Sequence, residues 1–115
     1  MALSYIGGKS KIGIWIRNYI PNDIETYVEP FSGMYWVFFK MDIGLYSNLK
    51  QVVYNDFNKL NVNLFNCLRE HKQFNEIIKD YKSQDKELFD KFQSEIFSPD
   101  FKVDLSTPDF HIAAK

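Results

Sequence analysis

Two glycine-bearing stretches and one aspartate are the residues best placed to do chemistry. In "GGKS", Gly7 to Ser10, two flexible residues precede a lysine; in "YVEPFSG" a β-rich run ends in a proline and then Gly33; and "YND" closes on Asp56. A glycine at the carboxyl end of a parallel strand lets the backbone come close to a ligand, and the helix that follows offers free N–H groups. A carboxylate at the end of the next strand, roughly 20 residues on, is the usual acceptor for two ribose hydroxyls. Gly33 and Asp56 are therefore expected to face one crevice and to grip opposite ends of one nucleoside-bearing molecule. Plainer roles stand beside these: Gly33 as a simple turn, and Asp56 as the N-cap of a helix opening at "NKLNVN", a role compatible with ligand binding.

The "GGKS" stretch is not a phosphate loop. That pattern needs a further glycine five positions before the Gly8-Lys9 pair, where Leu3 stands, and a longer preceding strand. It reads either as a turn capping a helix that begins near Ser10 or as a backbone approach to a ligand, with Lys9 as a positive group. His71 and His111 have no second histidine or cysteine at ligand spacing, so no metal site is expected. The single cysteine, Cys67, lies on an apolar stripe between Leu64 and Leu68 and reads as a buried structural thiol.

The elements that must position these residues alternate. Ile12, Trp15, Ile16 and Tyr19 recur as one face of a short helix, closed at Pro21. "ETYVEPF" is a buried strand ended by Pro30. Met34 to Met41 is almost continuously apolar; periodicity allows strand or helix, and helix is favoured because it completes a strand–turn–helix unit. "LKQVVYND" is a second strand, and "FNKLNVNLFNCLRE" a helix with Leu60, Leu64, Cys67 and Leu68 on one side. Helix, strand, helix, strand, helix implies a parallel sheet with covering helices. Two further amphipathic helices, in "FNEIIKDY" and "LFDKFQSEIF", look like a helical insertion. Near the end Thr107 suits an N-cap, Pro108 the first helical position and Asp109 the positive helix end. This opening helix has no termination signal, so the sequence is expected to be the front portion of a longer chain.

A chain of 115 residues with 45% hydrophobic and 17% aromatic residues has enough apolar surface for one folded domain and argues against disorder. Fourteen basic against fifteen acidic residues give a formal charge of −1, so no global positive field draws it onto nucleic acid or an anionic membrane. No run approaches the ~20 apolar residues of a membrane span. A cytoplasmic protein with no membrane partner is expected.

Four pieces in order, "YIGGKSK", "YVEPFSG", "NDFNKLNVNLF" and "FHIAAK", resemble the N-terminal part of the Dam-like, or D12 class, adenine-specific DNA methyltransferases over nearly the whole sequence. The resemblance implies an α/β, Rossmann-like methyltransferase fold, incomplete here, with an S-adenosylmethionine-binding part over residues 1–70. Residues 71–115 would form a helical insertion leading toward a DNA-recognition region. It implies that Tyr5, Gly7, Gly8 and Lys9 line the cofactor. Glu29, Pro30, Phe31, Ser32 and Gly33 would form the loop under its methionine part, with Asp56 the ribose carboxylate and Phe57 the neighbour flanking adenine. The family transfers a methyl group to adenine N6, a base taken out of the duplex stack, using an Asp/Asn-Pro-Pro-Tyr/Phe tetrapeptide. No Pro-Pro pair occurs in this sequence, so no catalytic residue is assigned and DNA contact is expected through a portion not represented here. Where the family commonly carries a second glycine stands Tyr35, harmless if its ring turns into the sheet and obstructive if it turns into the pocket. Three functions stay open: the cofactor half of an adenine-N6 methyltransferase, a non-catalytic cofactor- or protein-binding module, and a purely structural α/β domain. Strand edges left unpaired invite self-association into homo-oligomers.

Overall fold

The structure, a computed structural model, describes residues 8–81 and 86–115. Tyr5 and Gly7 lie outside the described residues. The chain divides into two compact units, Met1–Asn58 and Lys59–Lys115.

The first unit is built on two strands, β1 (Thr26–Glu29) and β2 (Gln51–Tyr54), paired in parallel with Thr26 opposite Gln51 and Glu29 opposite Tyr54. Thr, Tyr and Val suit a pleated, half-buried surface. The ladder extends past the strand ends: Lys50 N donates to Glu25 O at 2.8 Å, and Asn55 N to Glu29 O at 3.1 Å. Between the strands runs helix α2 (Trp36–Lys40), followed by a 3-10 turn at Ile43–Leu45. Parallel strands cannot be joined by a tight turn, and the intervening helix makes the crossover. The result is a mixed α/β unit with a two-stranded parallel sheet. Its core gathers Tyr27, Met34, Tyr35, Val37, Met41 and Tyr46.

Before β1 comes helix α1 (Gly13–Arg17). The expected face of Ile12, Trp15, Ile16 and Tyr19 is not the one it buries. Trp15 is 61% exposed and Tyr19 71%, and the two rings meet edge to face at 5.0 Å. Contact with α2 is made instead at buried Gly13, where an added Cβ would lie 3.0 Å from Lys40 Cγ and 3.3 Å from Trp36 O. The close approach rotates the Trp15–Tyr19 stripe outward. Arg17 fastens the crossing by donating from Nη1 to Lys40 O at 2.6 Å.

The second unit is helical: α3 (Lys59–Arg69), α4 (His71–Ile78) continued by a 3-10 turn at Lys79–Tyr81, α5 (Lys86–Ile96) and α6 (Phe110–Ala114). In α3 the buried residues are Asn61, Asn63 and Cys67, while Leu68 of the expected stripe is 43% exposed. Asn63 is buried because it acts as a backbone clamp: its Nδ2 donates to Asp109 O and its Oδ1 accepts from Asp109 N, both at 2.8 Å. That clamp holds Asp109 extended, so the cap of α6 is Asp109, accepting from Ile112 N at 2.9 Å, and not Thr107. His111 Nδ1 pairs with Tyr81 OH at 2.8 Å. Among the described residues no helix is long and apolar enough to cross a membrane, and no group of three or more His, Cys, Asp or Glu is placed to hold a metal ion.

Candidate functional site

Parallel pairing brings the carboxyl ends of β1 and β2 to the same edge, and the chain leaving each strand is bonded to the other. Ser32 N donates to Asn55 O at 2.9 Å, Asn55 Nδ2 to Pro30 O at 2.7 Å, and Asn55 N to Ser32 Oγ at 3.2 Å. Ser32 Oγ also donates to Glu29 O. Tyr54 OH donates to Gly33 O at 2.6 Å, and Gly33 N donates to Asp56 Oδ2 at 2.7 Å. The bend is thereby fixed from Pro30 to Gly33 by three successive residues at the end of β2.

The bend takes two left-handed residues, Gly33 at φ 52° and Tyr35 at φ 58°. Glycine adopts that region freely, whereas a bulky L-residue there is an outlier. Tyr35 is held by aromatic packing: its ring stacks on Phe38 at 4.6 Å and meets Tyr54 edge-on at 5.0 Å and Phe39 at 5.9 Å. Burial, reinforced by the nearby Glu29 carboxylate, pushes its phenol up to about 12. The Glu29 carboxylate accepts from Phe38 N at 2.9 Å and from Tyr27 OH. Burial and that bond both raise the Tyr27 phenol far above its ordinary range.

Beside the bend opens a cavity of about 580 Å³, within the range of small-molecule sites. Gly8 and Lys9 form one part of its wall, the whole stretch from Glu29 to Gly33 another, and Asp56 a third. The sequence reading thus names residues that the fold brings together around one space. It did not name the apolar lining, among it Ile16, Ile20, Val28, Trp36 and Val37. Their signal was weak because apolar residues on short elements read equally well as core.

The Asp56 carboxylate meets the Gly33 amide directly, so the two, expected to face one crevice, form one continuous edge of the cavity. One placement differs from expectation. Phe57 is not in the lining and is 98% exposed. Asp56 Oδ1 accepts from Asn58 N at 2.8 Å, and this tight turn carries Phe57 at its apex, out to solvent. Tyr35 is also absent from the lining; its ring lies among Phe38, Phe39 and Tyr54.

Searches of curated proteins and of solved structures found no match. The family model for the D12 class N6 adenine-specific DNA methyltransferases matches residues 5–101. That span takes in the bend, the Asp56 edge and most of the helical unit, and the chain belongs to the D12 class of N6 adenine-specific DNA methyltransferases.

Proposed function

We propose that this chain is the methyl-donor half of an adenine-N6 DNA methyltransferase, with S-adenosylmethionine as its cofactor. In this reading the β1–α2–β2 unit is the start of a Rossmann-like sheet. Residues 1–70 carry the cofactor part, and residues 71–115 lead toward DNA recognition. In this reading the protein acts in the cytoplasm, which a DNA-acting family suggests.

The residues suit the cofactor's chemistry. Apolar walls accept an adenine ring, while Lys9, Glu29, Ser32 and Asp56 supply the few polar groups that orient a ligand in such pockets. When bound, S-adenosylmethionine supplies an electrophilic methyl carbon on a sulfonium. The carboxylate of Asp56 would accept from ribose hydroxyls, and the Glu29–Gly33 bend would lie along the methionine part. Positioning of this kind lowers the barrier by holding reactants in line before reaction. The transfer step itself belongs to the tetrapeptide that this sequence lacks, so the chain alone is expected to bind without turnover.

The observation that carries the reading is the junction of the Gly33 amide with the Asp56 carboxylate at the rim of one cavity. Calorimetric titration with S-adenosylmethionine is the test. Saturable binding is expected, weakened at least tenfold in Asp56→Ala; an absence of binding heat from the unsubstituted chain overturns the proposal.

A further inference from the structure

Tyr54 touches both left-handed residues of the bend. Its hydroxyl donates to Gly33 O at 2.6 Å, and its ring edge packs on the Tyr35 ring at 5.0 Å. Backbone held in sparsely populated geometry persists only where its surroundings over-determine it, and such places cluster at ligand clamps. Gly33 precedes α2, while Tyr35, at the N-cap of α2, makes no side-chain capping bond and is held to that helix by Phe39 N donating to Tyr35 O at 3.1 Å and by its ring packing on Phe38 and Phe39. The bend has other supports, and Tyr35 N closes it by donating to Ser32 O at 2.8 Å. Asn55 grips Pro30 and Ser32, and Asp56 grips the Gly33 amide. Tyr54 reaches from the carbonyl of the first left-handed residue to the ring of the second.

We propose that Tyr54 is a positioning residue that keeps the Ser32–Tyr35 bend in its ligand-accepting shape, and so sets affinity for the methionine-bearing half of the cofactor. The proposal rests on the methyl-donor reading of the cavity. Tyr54 itself is not among the cavity-lining residues and acts through Gly33 and Tyr35. Its influence is directional: the bend would serve the methionine part, whereas the nucleoside part lies toward Asp56. A purely structural tyrosine would weaken every ligand alike.

Two variants and two readouts test this on the whole chain. Tyr54→Phe removes the hydroxyl and keeps the ring edge; Tyr54→Leu removes both. Amide hydrogen exchange without ligand is expected to quicken at Ser32, Gly33 and Tyr35 by about tenfold in Tyr54→Phe and further in Tyr54→Leu. Ladder amides of the two strands, which report that the sheet is intact, should stay within about threefold. Affinity for S-adenosylmethionine should fall at least fivefold while that for adenosine changes less than twofold. Unchanged bend exchange in both variants overturns the role of Tyr54 even if the unsubstituted chain binds cofactor, as does an equal loss for both ligands. If the unsubstituted chain binds no S-adenosylmethionine, the methyl-donor reading falls, and the ligand role of Tyr54 falls with it.

Discussion

Tyr35 occupies the position where a glycine would be conformationally free, and its side chain must offset the strain of its backbone. A left-handed L-residue costs about 1–2 kcal/mol, while truncating a buried aromatic costs about 3–5 kcal/mol. Packing should win. Tyr35→Ala is expected to destabilise the chain by about 3 kcal/mol, and Tyr35→Gly by about 1 kcal/mol less, because only the glycine relieves the strain. Paired urea titrations measure the difference; equal losses would show that no strain is stored. The same environment predicts alkaline behaviour. Burial favours the neutral phenol in the fold, so the stabilising contribution of Tyr35 is fully present below its unfolded value of 10.0 and lost as pH rises toward about 12. An ultraviolet phenolate titration should show a late-ionising class, with the unfolding midpoint flat to about pH 10 and falling above it.

Among the elements, both strands and the order of the first unit were legible because Thr26–Glu29 and Gln51–Tyr54 are β-rich runs bounded by proline and polar residues. Helix α2 was legible from its setting, as the helix of a strand–turn–helix unit. The face of α1 was not, because a periodic stripe says which residues share a side but not which side docks, and the docking residue, Gly13, has no side chain to register in any pattern. Asn63 was illegible for a related reason: its burial depends on the backbone of Asp109, 46 residues away. A substitution there tests the clamp. Asn63→Ala leaves the N–H and C=O of Asp109 without this partner and is expected to cost about 3 kcal/mol, with α6 the first element to lose protection in hydrogen exchange. A loss below about 0.5 kcal/mol would mean that water replaces the amide without penalty.

Over the whole molecule, the grouping of Glu29, Ser32 and Asp56 around one cavity was legible because they lie at or just beyond the ends of consecutive parallel strands, where ligands of open α/β sheets bind. The outward turn of Phe57 was not, since it follows from an Asp56–Asn58 bond that sequence does not specify. Cys67 gives an independent check on compactness. It is 0% exposed, its thiol is pushed up by burial and by the Asp109 carboxylate, and it is expected to stay unlabelled by thiol reagents at neutral pH until the chain unfolds. Rapid native labelling would contradict the packing of α3. Among the described residues the sheet has two strands, each with one ladder neighbour, and exposed edges of this kind template pairing with a second chain. Mass from light scattering is expected to rise with concentration, and a constant monomer mass would exclude edge pairing.

The contact at Gly13 reaches further than its size suggests. Ile16 of α1 and Trp36 and Val37 of α2 all line the cavity, so its width depends on how near the two short helices lie. A single hydrogen in place of a methyl group sets that separation. Gly13→Ala would force Lys40 and Trp36 to yield by a few tenths of an ångström, prising the walls apart without altering any residue that touches the enclosed space, so the calibre of the chamber is written into a position outside it.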